Sequence, residues 1–592
     1  MKKILALLLA VVFCLGIVAA CGGGTDTPDN TPAPTPQPDP PTPPPVVDDV
    51  HDDYPRWTLS GADQFNISIA QITNQTPPSP DNRLSARLKD ELGVTMDYEL
   101  VPNDMQDERV GVLIAGGILP DILGFTQQEC RLTHAGAKLK LDDHLATGVY
   151  ENIYNHVAPV WGTLMWRGGG VENGLYTLPN YNRWYAAEDG TVNAGHDVWG
   201  MGWAVQKEVL AWAGYPDVKH ITPQECFQMI ADYMEEFPTI DGQPTIGFTI
   251  PISAQAWSLG NSPNFLAGFP NDGGVSVDSA TGEAKIYANS QSAHDWFKLL
   301  NEMWHKGVID PEFHTQTPDQ WMEKIANGRL LAMHHQRWSW GAGHDALMDA
   351  GKENRTYVLI APIWDNVANP WYLDVDVMNV NQGWSVATTS PEPERILTFM
   401  DVMLSEYWQI IMQWGEEGED YFVNADGSFY RNQEQRDRST DLMFQQENRL
   451  MALLDQMPKI QGNYPVNGNA TAPGLDAGEW QGGLREFDRD FIQAYDLPNW
   501  RAFLFPTQEQ NPPWFPAWQA PLGDGTAADV ANTQMEEWQQ EMLPKVIMAA
   551  EGEFDGLWEE YLAEFDRIDV AAYEAAVTEF TQRKMREAAG EE

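Results

Sequence analysis

The chain has 592 residues, with 86 acidic against 36 basic side chains and a net charge of −50. A surface this acidic repels nucleic acid and anionic lipid, and it disfavours anionic ligands unless a local basic pocket overrides it. Solubility outside the cell or in salt accounts for such a charge, so acidity narrows the partners without naming a function.

The N-terminus reads as a processing signal. Lys2 and Lys3 precede an apolar stretch from Ile4 to Ala20, and Cys21 opens a run of glycines. Val18-Ala19-Ala20-Cys21 matches the bacterial lipobox, in which the cysteine thiol receives a diacylglycerol and becomes the new N-terminus. Residues 1–20 are thus the expected signal peptide and Cys21 the expected lipidation site. An uncleaved anchor is the alternative, although the segment is at the short end for a spanning helix. Residues 21–56, dominated by Pro, Thr, Gly and Asp, cannot bury apolar surface and predict an extended tether. No later run is long and apolar enough to span, so the expected location is the outer face of the cell membrane, held by lipid.

The body from Trp57 to the end exceeds what one core usually supports, and at least two lobes are expected. Strand-like runs occur at 65–70 (FNISIA), 94–101 (VTMDYELV), 120–125 (PDILGF), 245–250 (TIGFTI) and 383–388 (GWSVAT). Helices with start signals lie between them. Thr222-Pro223-Gln224-Glu225 is a capping box with Pro at the first helical position; Phe227, Ile230, Ala231 and Met234 share one face, and Pro238 stops it. A second helical stripe carries Ala293, Trp296, Phe297, Leu300, Met303 and Trp304. Thr317-Pro318-Asp319-Gln320 repeats the box, and Asn327-Gly328 closes its helix. From Glu394 a further helix shows Ile396, Phe399, Met400, Met403 and Leu404. The acidic C-terminal stretch from Glu553 is helical, and its aromatics predict packing against a lobe. Alternating strands and helices predict α/β layers.

Cys14 leaves with the signal. Cys130 and Cys226 lack metal-type spacing and read as buried free thiols in preference to a disulfide. No CxxC, HExxH, GxSxG or Walker pattern occurs, so no cofactor is expected and the usual catalytic signatures are missing. Within "MHHQRWSWG" (333–341), Trp338 and Trp340 stand two apart after an apolar run. In a strand they would present two flat faces on one side, either as a ligand wall or as core.

Several stretches resemble the extracellular solute-binding proteins of bacterial ABC importers, in the branch that carries sugars. They are "GGILPDILGF" (116–125), "NGLYTLPNY" (173–181), "GEAKIYANSQSAHDWFKLLNEMWHKGVIDPEF" (282–313) and "KIANGRLLAM" (324–333). "PERILTFMDVMLSEYWQIIMQWGEEGEDYFVNADG" (393–427), with its W-G-x-E-G-x-D-Y core, is close to a block typical of large Gram-positive lipoprotein members. The matches run in family order. The resemblance implies an α/β, two-lobed periplasmic-binding-protein-like type II fold with hinge-linked lobes: one of about 62–185 with part of 385–592, the other of about 200–380 with the remaining C-terminal helices. It also implies a carbohydrate ligand, and a pair of permease subunits with a cytoplasmic ATPase as partners.

In a maltose-binding member, an N-G-P-W-A-W segment follows a matching strand and its first indole stacks on a sugar ring. Trp338 occupies that place here, which makes it the first candidate contact, with Trp340 and Arg337 beside it. The same comparison implies Phe125 near a stacking position, with Gln127 and Gln128 beyond it; Trp184 and Trp199 flank the implied hinge, and Trp384 lies at its return strand. Sugar rings offer apolar C–H faces to aromatic planes, while their hydroxyls need polar partners. Many large relatives carry a calcium loop where this chain has "PTIDGQPTIGF"; Asp241 is its sole carboxylate, too few hard oxygens, so no metal is expected. A cell-surface glycoside hydrolase or lyase, which needs two carboxylates across a cleft, remains an alternative, with Glu416 and Glu417 an uninformative pair among many. So does a lipoprotein presenting sugar to a sensor kinase.

Overall fold

The computed structural model describes residues 64–589, except 74, 103–104, 127–128, 159–173, 183–197, 199, 252–256, 374–381, 465–466, 505–511 and 524. Nine strands build its two larger sheets. In chain order they are β1 (Phe65–Ile72), β2 (Val94–Val101), β3 (Ile122–Gly124), β4 (Leu178–Pro179), β5 (Trp203–Gln206), β6 (Ile246–Thr249), β7 (Leu330–His334), β8 (Tyr357–Ile360) and β9 (Gly383–Val386). The first sheet has the order β2-β1-β3-β9-β4 and the second β8-β5-β7-β6. All five strand-like runs in the sequence fall in these sheets.

In the first sheet β1 runs parallel to β2, in register from Phe65↔Val94 to Ile72↔Val101, and parallel to β3. β9 lies antiparallel to both β3 and β4. Parallel strands are covered on both faces, and β1 shows it. Phe65, Ile67 and Ile69 face one core with Trp384, Phe399 and Met400, whereas Ala70 and Ile72 face a smaller one with Leu123, Phe125 and Leu132.

The second sheet has its own core. Trp203 of β5 sits at its centre, with Phe227 at 5.2 Å, Phe248 at 5.0 Å and Trp296 at 5.5 Å. Edge and tilted contacts of this kind suit the ring quadrupoles. Phe227 comes from α1 (Pro223–Glu236), where both halves of the Thr222 capping box form: Thr222 Oγ1 accepts the Glu225 N–H at 3.2 Å, and Glu225 accepts the Thr222 N–H at 2.8 Å. We expect Thr222→Ala to cost about 1 kcal/mol in urea unfolding, the usual worth of such a cap, with the m-value unchanged. Trp296 comes from α3 (Gln291–His305), which follows α2 (Trp257–Leu266) and buries the stripe of Ala293, Phe297, Leu300 and Met303. The second capping box also forms, opening α4 (Pro318–Ala326) with Gln320 in the glutamate's place. The C-terminal helices belong to this core, to which Phe554, Trp558 and Tyr561 contribute. Asn301 holds the end of one of them, donating to the carbonyls of Ile547 and Ala549 at 2.9 Å each.

The motifs that carried the resemblance are mostly structural ties. Asp121 accepts from the Ser68 N–H at 3.0 Å, the Ser68 hydroxyl at 2.7 Å and the Ser390 hydroxyl at 2.9 Å, joining β1 to the entry of β3. Asp310 is buried against Lys324, with N–O distances of 3.1 and 2.8 Å. In the W-G-x-E-G-x-D-Y block, Asp420 pairs with Arg83 and Glu416 with Arg87 at 2.9 Å. Nearby, the half-buried Arg449 donates to the carbonyls of Met412, Gln413 and Trp414, at the end of the helix Glu406–Gln413. That arrangement satisfies carbonyls a helix end would otherwise strand. Among the described residues no helix is long and apolar enough to cross a membrane.

Candidate functional site

The central strand β7 is buried at every position and brings the doublet His334-His335 to its end. The chain then turns into α5, Arg337–Asp349, with Gln336 as an extended N-cap residue. The backbone N–H groups of His335 and Arg337 donate to the carbonyls of Gly202 and Gly200, which anchors this turn beside the start of β5.

Trp338 and Trp340 therefore lie on a helix, and residues two apart on a helix point nearly opposite ways. The pair of indoles sharing one strand face does not form. Trp340 is fully buried, edge-on to Tyr357 at 5.6 Å, and its Nε1–H donates to the His335 carbonyl at 3.4 Å. The Arg337 guanidinium lies 5.9 Å from the Trp340 ring centre. Trp338 points outward and keeps 41% of its surface exposed.

His335 is the hub of what remains. Its imidazole centre lies 5.1 Å from the indole of Trp321, 5.4 Å from Trp257 and 6.4 Å from Trp338. Its Nδ1 accepts the Gln336 N–H at 2.9 Å. Burial lowers its pKa to about 4 and that of His334 to about 3, the second pushed further by its neighbour. Both rings are uncharged at neutral pH, and with Nδ1 accepting, the proton of His335 sits on Nε2. Indole faces beside a neutral N–H donor suit a ligand that is apolar on its faces and polar at its edges.

The other candidates do not join this group. Phe125 is buried in the small core behind the first sheet. Trp384 is buried on β9, where its Nε1–H donates to Gln71 Oε1 at 3.0 Å and its ring stacks on Phe399 at 6.4 Å. Both side chains are committed to packing. Gln127, Gln128, Trp184 and Trp199 lie outside the described residues, as do Cys21, the signal, the tether and the side chain of Cys130. Cys226 is buried and free. Asp241 sits in the turn between Thr239–Ile240 and Gln243–Pro244 and pairs with Lys352 at 2.8 Å, with Arg355 at 3.8 Å. That carboxylate is already neutralised by two cations. Among the described residues no group of His, Cys, Asp and Glu could hold a metal.

Trp257 and Trp321 were not legible as members of a site. Trp257 opens α2 and Trp321 sits within α4, so helical spacing assigns each to its own helix and not to His335. The histidine doublet itself was the one available signal.

No family model and no curated protein matches the chain. Solved structures do. The alginate-binding protein AlgQ2, in a form without calcium ion, is 14% identical with a TM-score of 0.60, over 89% of this chain and 99% of that one. The substrate-binding protein FusA of an S. pneumoniae ABC transporter, in complex with kestose, is 13% identical with a TM-score of 0.60, over 88% and 100%. An HMO-binding, ABC-transporter-associated solute-binding protein from Bifidobacterium longum infantis is 12% identical with a TM-score of 0.57, over 88% and 98%. The chain has the two-lobed α/β fold of solute-binding proteins. The expected fold class is thereby borne out, and its two sheets with separate cores supply the lobes.

Proposed function

We propose that this is a membrane-tethered, extracellular solute-binding protein that captures a carbohydrate between its lobes and delivers it to the permease subunits of an ABC importer powered by a cytoplasmic ATPase. The size of the body suits an oligosaccharide. The observation that carries the reading is the half-exposed Trp338 at the end of the second sheet's central strand, beside a neutral histidine. An exposed indole is costly to leave in water and is the surface on which sugar C–H faces stack. Neighbours of the same fold, one described as alginate-binding and one in complex with kestose, support the ligand class. The lipobox at Cys21 and the Pro-rich stretch to residue 56 support the tether and the extracellular face.

Thermal unfolding of the full chain in detergent, against a panel of oligosaccharides with each mixture assayed for products, tests the reading. A ligand at a hundred times its dissociation constant adds about 2.7 kcal/mol to a folded state that alone binds it. We expect a saturable rise in Tm with the sugar intact, and about tenfold weaker binding in Trp338→Ala, the loss of one aromatic contact. Cleavage of a sugar would replace this reading with a hydrolase or lyase.

A further inference from the structure

Two features around His335 go beyond a single stacking indole. Trp257 is as exposed as Trp338, at 41%, and the two lean on the same imidazole, 5.4 and 6.4 Å from its centre. In addition, His335 Nε2 and Trp321 Nε1 are both buried without a hydrogen-bond partner among the described residues. Both carry hydrogen when the imidazole is neutral, so neither can satisfy the other. Native interiors seldom leave such donors unmet, and an acceptor oxygen from outside the chain removes the cost.

We propose that Trp257 and Trp338 are the two walls of one glycan subsite and that His335, packed against both, positions them and offers its Nε2–H to an oxygen of the bound sugar. This rests on the carbohydrate reading above. Trp257 comes from the helix after β6 and Trp338 from the helix after β7. β6 and β7 are parallel neighbours, so both indoles emerge at the same end of the second sheet. The imidazole fixes the approach of Trp338 a second way, because its Nδ1 holds the Gln336 N–H at the cap of α5. Apolar walls packed against a neutral donor select a ring that can stack on its faces and be hydrogen-bonded at its edge.

Isothermal titration of the full chain in detergent, with whichever panel oligosaccharide raises Tm, tests the proposal on Trp257→Ala, Trp338→Ala, the double variant and His335→Phe. Each tryptophan variant is expected to bind at least tenfold more weakly. The double variant should lose less than the product of the two, because each wall depends on the other. His335→Phe keeps a flat ring against the indoles but removes the donor and the Nδ1 acceptor; it should weaken binding about tenfold while Tm in the absence of sugar stays within a few degrees. Should it fail to fold, His335→Gln, which retains an amide donor, takes its place and should bind more tightly than His335→Ala. Wild-type affinity in Trp257→Ala beside a loss in Trp338→Ala would overturn the two-walled subsite and leave the carbohydrate reading standing. Strictly multiplicative losses would overturn the coupling through His335. If no member of the panel binds, the carbohydrate reading falls and this subsite with it.

Discussion

Acidification from pH 7 to pH 5 is expected to remove a large part of the folding stability before most carboxylates titrate. His156, His334, His335 and His344 are all buried. Burial lowers the pKa to about 4 for His156 and His335, to about 3 for His334, and well below the usual range for His344. In the unfolded chain each returns to about 6.5. Between pH 6.5 and 4 the unfolded state therefore binds protons that the folded state refuses, and stability falls as pH falls. His156, His334 and His335 each lose up to about 1.4 kcal/mol per pH unit in that window, so the three lose on the order of 6 kcal/mol at pH 5, and His344 adds to the loss in the same sense.

Asp272 works in the opposite direction. It is buried with two neutral donors, the Ala517 N–H at 2.8 Å and the Trp514 Nε1–H at 3.4 Å. Burial raises its carboxyl pKa to about 7. Folded, it keeps its proton between pH 4 and 7 while the unfolded chain gives it up, so its contribution to stability declines as pH rises through that window. Going down from pH 7 to 5 it returns about 2 kcal/mol, less than the histidines lose. Burial also raises the carboxyls of Asp401, Asp455 and Glu536, in the same sense. Tm measured from pH 7 to 4.5 should fall, more steeply in Asp272→Asn and less steeply in His156→Asn. A Tm that holds level or rises toward pH 5 would contradict the assignment of these rings as neutral and buried.

Half of the motif at 333–341 was legible in the sequence and half was not, for a physical reason. Strands such as 65–70 and 94–101 announce themselves because β-branched and aromatic residues run between turn signals, and both capping boxes are local hydrogen-bond patterns that any context preserves. The start of α5 has no such mark. Its N-cap, Gln336, makes no side-chain capping bond, and Gly341 and Gly343 weaken helix propensity. Gly343 is there for packing: a Cβ on it would lie 2.6 Å from Ile325 Cγ2 and 2.8 Å from Met322 Sδ, so α4 approaches α5 through the missing side chain. That contact is tertiary, and without it the alternation of Arg337, Trp338, Ser339 and Trp340 reads as strand. Likewise Trp384 looked like a hinge contact until its partner, Gln71, was placed beside it from more than three hundred residues away. Local pattern reports the element; it does not report which indole finds a buried acceptor.

Replacing Gly383 with alanine is expected to be among the most damaging single-methyl additions to the chain. Gly383 has φ +149, and a Cβ there would stand 1.9 Å from the Leu178 carbonyl oxygen and 2.9 Å from the Asn180 nitrogen. Both obstacles are backbone, so no rotamer relieves them. They belong to β4 and its continuation, which β9 pairs with at Gly383↔Pro179 and Trp384↔Leu178, and which the Gln382 carbonyl holds through the Asn180 N–H at 3.0 Å. Making room for one methyl means parting these strands and moving Trp384 off Gln71. The loss should exceed about 3 kcal/mol, the range of changes that break a constrained backbone site in a core. Gly117 provides the control: its φ is +64 but nothing lies within 4 Å of the added methyl, so Gly117→Ala should cost only about 1 kcal/mol of backbone strain. Urea midpoints at constant m-value separate the two. The position also matters for how the lobes are joined. The chain leaves the first sheet after β4 to build the second, and returns to the first at β9. The two crossings are thus tied together where Gly383 lets their backbones touch. Equal costs for Gly383→Ala and Gly117→Ala would mean that the crossings are not paired there, and that what joins the lobes lies elsewhere.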